Sequence, residues 1–406
     1  MAPYFRILLP IRRPLTRGNT RSMRIAIVHE WFTSMRGGEK CVEALCEVFR
    51  DAAVYALLHV KGSVSPIIER MPVHTSFVQC LPCAATRYRY YLPLFPTAIQ
   101  QFDLSGFDVV LSSNHCAAKG VRTAPHTLHI CYCYTPMRYI WTQYDDYFGA
   151  GRSGVLTRWG MRAAVGYLRR WDLRTAKNPH HFIAISENIR ERIRTIYGRE
   201  SDVIYPPVDT AAMSVVREHE DFDLIVSALV PYKRVDLAVD AYNRMGKRLV
   251  VIGDGPDLVR LRQMAGATVD VLGWRDDRVV RDHFRRCRAV IFPGEEDFGI
   301  VPVEAIACGK PVVAYARGGA LETVLEGPGL RTGVLFQEQT AESLSAAVKG
   351  LEATSFDTDA MHAFALGFDR EIYKLKMKEY ILRRWEEFRA GFPQPQVMKH
   401  VSPARR

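Results

Sequence analysis

Short apolar runs alternate with longer amphipathic stretches along the chain from Met23 onward. The runs have the length of buried strands, and the stretches between them carry apolar residues at helical spacing. In the first half, the pattern predicts helices at 39–49 and 187–197 and strands at 25–28, 54–58, 109–112, 129–133 and 182–185. Strands that alternate with helices in this way are typical of a parallel sheet.

The segment 203–208 interrupts this alternation, because its two prolines, Pro206 and Pro207, cannot continue a helix or a central strand. Beyond this hinge, strands are predicted at 224–228, 249–252, 269–272, 289–292 and 312–315. We therefore predict an α/β fold of two doubly wound, Rossmann-like domains that face a central cleft. The expected boundaries are 23–203 for the first domain, 204–368 for the second, 369–391 for a C-terminal helix that docks back on the first domain, and 392–406 for a tail.

The chain has 406 residues and a formal net charge of +11. Residues 1–22 contain five arginines and no acid, so without them the charge falls to +6, and we interpret them as a basic extension or a wrongly placed start. A basic surface suits nucleic acid, anionic lipid or a phosphorylated substrate. The chain carries no nucleic-acid-binding motif, so we expect no nucleic-acid partner. It also shows no signal peptide and no apolar run of membrane-spanning length, which predicts a cytoplasmic protein.

The nine cysteines are expected to be buried, reduced thiols. Cys80 and Cys83 form a CxxC pair, but Cys131 and Cys133 are too close in sequence to complete a zinc knuckle. We therefore expect no metal site.

The strongest chemical signal lies between Pro293 and Val324. A predicted strand ends at Phe292, a turn carries acids and Gly299, and a helix begins near Val301. Free backbone N–H groups at such a helix start suit a diphosphate. Glu296 and Glu304 are eight positions apart, so their carboxylates can accept hydrogen bonds from two separate parts of an extended nucleotide sugar.

This segment resembles the E-x7-E signature of the retaining glycosyltransferases of family four, which have the GT-B architecture. The likeness runs from about residue 23 to residue 388, and YTPMRYIW, VIYPPVD, SALVPYKRVDLAVDAYN and VIGDGP are similar to the GDP-mannose-dependent mannosyltransferases of bacterial O-antigen and exopolysaccharide assembly. The resemblance implies that Glu296 binds hydroxyls of the donor sugar and that Glu304 binds the ribose. It also implies that the backbone amides of Phe298, Gly299, Ile300 and Val301 hold sugar and phosphate oxygens.

Two basic residues, Lys233 and Arg234, follow a predicted strand and could neutralise the diphosphate as it leaves. Lys233 matches the lysine of the family, whereas Ala228 stands where the family usually has an arginine, so Arg234 or another cation is expected to compensate. In the first domain, Gly37 and Gly38 lie where a loop would approach the phosphates from the opposite side.

On the acceptor side, Tyr134 stands where the family usually has a histidine near the reacting sugar. A tyrosine hydroxyl cannot exchange a proton near neutral pH as imidazole does. His115 and His29 lie near other strand ends that face the cleft and are alternatives for this role, although a structural role is favoured for each. Arg138, in the same YTPMRYIW motif, is a further acceptor-side candidate.

Two basic and aromatic segments, 152–174 and 86–96, could contact an anionic membrane or the acceptor, or could simply pack on their domain. In the longer segment, Arg158, Arg162 and Arg169 share one predicted helix face. A cytoplasmic protein that is peripheral on the inner face of the plasma membrane follows from the first interpretation.

The expected reaction moves a hexose, mannose by resemblance, from a nucleotide diphosphate sugar to a lipid-linked or polysaccharide acceptor, without a metal ion or other cofactor. Two other functions remain open: a nucleotide-sugar 2-epimerase of the same architecture, and a non-catalytic nucleotide-sugar sensor.

Overall fold

The computed structural model describes residues 23–141 and 155–391. Its strands are β1 Ile25–Phe32, β2 Ala53–His59, β3 Val73–Thr75, β4 Val109–Asn114, β5 Leu128–Cys133, β6 His181–Ala184, β7 Asp202–Val203, β8 Asp223–Val226, β9 Leu249–Ile252, β10 Val269–Gly273, β11 Val290–Phe292, β12 Val312–Tyr315 and β13 Gly333–Phe336. The helices of the first half are α1 Gly37–Val48, α2 Pro66–Glu69, α3 Ala84–Arg87, α4 Phe95–Gln100, α5 Arg138–Trp141, α6 Val155–Thr175 and α7 Glu187–Tyr197. Those of the second half are α8 Val235–Met245, α9 Leu258–Met264, α10 Asp277–Arg286, α11 Ile300–Ala307, α12 Ala320–Thr323, α13 Ala341–Glu352, α14 Thr358–Ala365 and α15 Arg370–Ala390. Short 3₁₀ turns cover Phe77–Cys80, Tyr88–Leu94, Ala118–Gly120, Thr210–Ala212, Pro231–Lys233 and Leu366–Phe368.

Two parallel sheets organise the chain. The first has the strand order β3-β2-β1-β4-β5-β6-β7, and the second has the order β10-β9-β8-β11-β12-β13. In each sheet the strand order reverses beside the first strand of that domain, which creates a crevice at the carboxyl ends of the strands. Every residue of β1 is buried, because helices cover both faces of the sheet.

The predicted α/β architecture of two Rossmann-like domains is confirmed. The strands predicted at 249–252 and 312–315 and the helix predicted at 187–197 have the bounds that the structure shows. The predictions missed β3, β7 and β13. β3 and β7 are edge strands of three and two residues with partly exposed side chains, so they lack the continuous apolar run that marks a buried strand.

The C-terminal helix α15 packs against the first domain. Arg370 pairs with Glu43 at 2.8 Å and with Glu47 at 3.0 Å, both on α1. Further along, the Tyr380 hydroxyl donates to Asp202 at 2.8 Å. The chain therefore returns to its first domain after completing the second sheet.

The two segments considered for membrane contact differ in how they pack. In 86–96, Tyr88 and Phe95 are buried, whereas Tyr90 is 69% exposed. On α6, Arg169 donates to the carbonyl oxygen of Ile140 at 2.7 and 2.9 Å, so this arginine is engaged by its own domain. The side chains of Arg158 and Arg162 lie outside the described residues, as do residues 1–22 and the 392–406 tail. Within the described ranges, every helix is too short or too polar to span a bilayer.

All nine cysteines are free thiols, and seven of them are buried. The expectation of burial is wrong for Cys80 and Cys83, which are exposed. Cys80 ends the short 3₁₀ turn Phe77–Cys80, and Cys83 lies three residues beyond it, in a segment that is mostly exposed.

Candidate active site

An ion pair between Lys233 and Glu296 lies at the carboxyl end of the second sheet. Glu296 belongs to the loop 293–299 between β11 and α11, which we call the acidic loop. Lys233 ends the 3₁₀ turn that precedes α8, and its Nζ contacts Oε1 of Glu296. The two side chains are 18% and 15% exposed, so the pair is accessible from the cleft while being largely desolvated.

A neighbouring turn holds the acidic loop in place. The Gly319 N–H donates to the Glu296 carbonyl oxygen at 2.8 Å, and Glu296 forms a short parallel bridge with Gly318. Gly318 has a φ of +67°, and a Cβ there would lie 2.3 Å from that carbonyl oxygen. Glycine is therefore required at 318 for the two loops to approach each other.

The charged groups of this site do not have their ordinary proton affinities. Burial, with the nearby positive charges of Arg138 and Arg36, lowers the pKa of Lys233 to about 7. Burial raises the pKa of Glu304, on α11. In both cases desolvation disfavours the charged form of the side chain.

The side chain of Arg234 contacts different residues from that of Lys233. Its guanidinium pairs with Asp236 at 3.5 Å and donates to Gln339, also at 3.5 Å. Gln339 in turn donates to the carbonyl oxygen of Pro293, at the start of the acidic loop. Arg234 thus supports the loop, and Lys233 is the cation that reaches Glu296.

The helix start predicted near Val301 lies at Ile300, with Gly299 at the N-cap. No side chain caps this end, so its backbone N–H groups are free to bind an anion. A Cβ on Gly37 would lie 3.1 Å from Cδ1 of Ile300. The glycine pair at the start of α1 therefore faces the start of α11 from across the cleft, and Phe298 is buried beside it.

Tyr134 is held in a chain of hydrogen bonds at the end of β5. Its hydroxyl donates to the Gly38 carbonyl oxygen at 3.0 Å and lies 2.8 Å from Ser113 Oγ. Ser113 Oγ is 2.9 Å from Nδ1 of the buried His29, whose Nε2 is 3.6 Å from Glu39 Oε1. Burial raises the pKa of Tyr134 well above its ordinary value, so the phenol remains protonated.

His115 lies beside this chain of hydrogen bonds. Its ring packs edge-on against Trp31 with centroids 4.7 Å apart, and burial lowers its pKa well below the ordinary value. The backbone N–H groups of residues 115–118 all donate to the buried carboxylate of Glu30. A neutral, packed imidazole favours the structural role for His115.

Arg138 reaches across the cleft to the acidic loop. Its Nη2 donates to Asp297 Oδ2 at 2.5 Å, and Nη1 of Arg192 donates to Asp297 Oδ1 at 2.6 Å. Sequence reasoning did not identify Asp297 or Arg192. Only the consecutive acids 295–297 could have indicated that this loop binds more than one cation.

Within the described ranges, no three His, Cys, Asp or Glu side chains form a group that could hold a metal ion.

Comparisons with known proteins agree with this geometry. Residues 35–212 match the model of Glycosyltransferase Family 4, and residues 212–363 match that of Glycosyl transferases group 1. The chain is 31% identical over 149 residues to an uncharacterized glycosyltransferase of Methanocaldococcus jannaschii. It is 32% identical over 160 residues to the GDP-mannose-dependent alpha-(1-6)-phosphatidylinositol monomannoside mannosyltransferase of Mycolicibacterium smegmatis. Each alignment covers 35% of this chain and 40% of the relative.

Solved structures share the fold across nearly the whole chain. The Anabaena protein HepE in complex with UDP has a TM-score of 0.64 at 18% identity, covering 89% of this chain and all of that one. The sucrose-phosphate synthase of Thermosynechococcus elongatus has a TM-score of 0.65 at 17% identity, covering 90% of this chain and all of that one. With two consecutive family models matched and two parallel-sheet domains facing a cleft, the chain belongs to glycosyltransferase family 4 and has the GT-B fold.

Proposed function

We propose that this protein is a retaining hexosyltransferase that moves mannose from GDP-mannose to a lipid-linked oligosaccharide or polysaccharide acceptor in surface-glycan synthesis. The observation that carries the proposal is the contact of Lys233 with Glu296 beside the uncapped start of α11. One carboxylate, one ammonium and a row of backbone N–H groups are the groups that a sugar diphosphate needs.

In this proposal, Glu296 accepts hydrogen bonds from hydroxyls of the donor sugar, and Glu304 accepts them from the ribose. The amides of residues 298–301 and the Lys233 ammonium hold the diphosphate, whose negative charge grows as it leaves. Gly37 and Gly38 approach the same phosphates from the first domain. Donor binding would then displace the Lys233 ammonium from Glu296 toward the phosphate, which frees the carboxylate for the sugar.

The transfer step breaks the bond between C1 of the sugar and the diphosphate oxygen, and a new bond forms between C1 and the acceptor oxygen. The acceptor proton passes to an oxygen of the departing diphosphate. The protein supplies no covalent nucleophile and no general base in this scheme. The protonated Tyr134 phenol and the packed, neutral His115 imidazole are consistent with that assignment.

Two further observations support mannose and the lipid-linked acceptor. The Mycolicibacterium smegmatis relative is by name a GDP-mannose-dependent mannosyltransferase that acts on a phosphatidylinositol mannoside. The net positive charge of this chain suits an acceptor that carries a diphosphate and a membrane face that carries anionic lipid. The proposal therefore places the reaction at the cytoplasmic face of the plasma membrane.

The test is incubation with radiolabelled GDP-mannose and a membrane lipid extract, with UDP-glucose as the matched alternative donor. Label in the lipid phase from GDP-mannose alone, absent with the Glu296→Ala variant, is the expected result. Label from UDP-glucose instead would keep sugar transfer and reject mannose. A converted free nucleotide sugar would indicate a 2-epimerase, and binding without conversion would indicate a sensor.

A further inference from the structure

Asp297 connects the acidic loop to the first domain through three separate contacts. Its carboxylate accepts from Arg138 on α5 at 2.5 Å and from Arg192 on α7 at 2.6 Å. Its backbone carbonyl accepts from the Ser186 hydroxyl at 2.6 Å. Arg138 and Arg192 are 159 and 105 residues away in sequence, so these contacts exist only when the two domains face each other.

Asp297 lies between two residues of the candidate active site, so its contacts with the first domain also affect those residues. Its neighbours are Glu296, which contacts Lys233, and Phe298, which immediately precedes the uncapped helix start at Gly299. A movement of Asp297 by the first domain must therefore move the groups on both sides of it. The carboxylate of Asp297 itself pairs with the arginines of the other domain.

A second set of hydrogen bonds joins the first domain to the second, between the start of α7 and α12. The N–H groups of Glu187 and Asn188, in the first turn of α7, donate to the carboxylate of Glu322 on α12 at 2.9 and 3.0 Å. A carboxylate at a helix start is stabilised by the free N–H groups and by the helix dipole. Ser186 caps the same helix by accepting from Ile189 at 3.1 Å, so α7 is anchored to the second domain at its first turn.

The arginines of the first domain and the acids of the acidic loop neutralise each other only when the two domains are in contact. Arg192 also donates to Glu295 at 2.9 Å, so two arginines of the first domain meet two acids of the acidic loop. The Arg138, Arg192 and Asp297 side chains are only 21%, 22% and 14% exposed, respectively. Loss of Asp297 would leave two desolvated guanidinium groups with one remaining acid between them, which favours separation of the domains.

We propose that Asp297 is a positioning residue that couples closure of the two domains to the arrangement of the acidic loop. The Arg138–Asp297–Arg192 contact holds the domains together in the same geometry that presents Glu296 and the amides of residues 298–301. A nucleotide bound at those amides and the closed domain arrangement therefore stabilise each other. The inference rests on the proposed function in one respect, namely that a nucleoside diphosphate binds beside the acidic loop.

The test compares the wild type with Asp297→Asn, which keeps the shape and removes the charge, and Asp297→Glu, which keeps the charge. Small-angle scattering without nucleotide should give a larger radius of gyration for Asp297→Asn only. Calorimetric titration with GDP and UDP should show about tenfold weaker binding by that variant, a size typical of coupling between two sites. Asp359→Asn is the matched control, because Asp359 forms an exposed ion pair with Arg217 within the second domain.

A double-mutant cycle makes the test specific. Arg138→Gln alone should weaken GDP binding, and adding it to Asp297→Asn should cause little further loss, since the contact is already broken. Unchanged scattering and affinity for Asp297→Asn, equal losses for the Asn and Glu variants, or additive losses in the cycle would each overturn the proposal. Sugar transfer is not needed for these measurements, so a wild type that transfers no mannose would reject the proposed function and leave this result intact.

Discussion

The hydroxyl of Tyr134 donates to the carbonyl oxygen of Gly38, 96 residues earlier in the chain, at 3.0 Å. This bond ties the end of β5 to the start of α1, where Gly37 faces Ile300 of the second domain. Tyr134 is an acceptor-side candidate that stands where the family usually has a histidine. Its phenol holds the glycine pair, so its effect on a substrate would pass through the backbone of residues 37 and 38.

Tyr134→Phe removes that hydroxyl and keeps the ring. We expect the donor KM to rise while kcat changes little, because the phosphates lose an ordered backbone partner and no reacting atom loses a contact. The free energy of unfolding should fall by about 1 kcal/mol, the usual net value of one hydrogen bond. Steady-state kinetics and urea unfolding measure the two effects. Tyr90→Phe, at a side chain 69% exposed, is the control and should change neither. A fall in kcat with unchanged KM would instead indicate that Tyr134 contacts the reacting atoms.

Glu296→Ala should abolish most of the transfer without unfolding the protein. The carboxylate is expected to bind the donor sugar as charge develops, and loss of one such group costs about 10²–10³-fold in rate. Glu338→Gln removes an exposed carboxylate of the same domain and should keep full activity. Activity and circular dichroism, measured on the same preparations, distinguish a lost group from a lost fold. Turnover at the wild-type rate would remove Glu296 from the site.

Lys233 should make donor binding depend on pH near neutrality. Its pKa is lowered to about 7 by burial and by neighbouring positive charges. Because only the protonated amine attracts a diphosphate, affinity should fall as the pH rises above about 7, by up to about tenfold per pH unit. The arginine of Lys233→Arg stays charged throughout this range, so that variant should bind GDP with little dependence on Arg ionisation between about pH 6 and about pH 8, one unit either side of the wild-type lysine pKa. Calorimetric titration at several pH values measures both profiles, and parallel profiles for the two proteins would contradict the assignment.

The sequence predicted the secondary structure around this site better than the contacts between residues that are distant in the chain. The strand–turn–helix pattern around 293–304 located the helix start, because it follows from periodicity within a short segment, and the resemblance to the E-x7-E signature singled out Glu296 and Glu304. The same reasoning could not place Asp297 against Arg138 and Arg192, since charge pairs between domains depend on how two sheets face each other. Tyr134 was expected at the correct strand end, but its partner Gly38 belongs to a different βα connection.

Transfer should not require a metal ion. The diphosphate would be neutralised by Lys233 and by the start of α11, which are part of the protein and remain present in a chelator. Activity in EDTA equal to activity in added Mg²⁺ is therefore the expected outcome. The control is the same pair of assays on a magnesium-dependent transferase, which establishes that the chelator is effective. Complete loss in EDTA that Mg²⁺ restores would contradict the proposed role of Lys233.

The stability of the first domain should depend on Asp172, the single acid within the arginine-rich segment 152–174. Asp172 is fully buried and accepts from Lys119 Nζ at 2.6 Å, from Trp141 Nε1 at 2.8 Å and from the Tyr197 hydroxyl at 2.9 Å. Asp172→Asn keeps the shape but leaves the buried Lys119 ammonium without its counter-ion. Breaking a buried pair from one side costs about 3–5 kcal/mol, so urea unfolding should show a loss of that size.

The matched control for Asp172 is an exposed pair. Asp359→Asn breaks the contact with Arg217, whose side chain is 71% exposed, and should change the unfolding midpoint little, because solvent screens such pairs. Lys119→Met together with Asp172→Asn removes the uncompensated charge and should recover part of the stability lost in the single variant. A double variant less stable than Asp172→Asn alone would mean that Lys119 stabilises the domain through its contacts with Thr175 and the Asp172 carbonyl oxygen rather than through the ion pair.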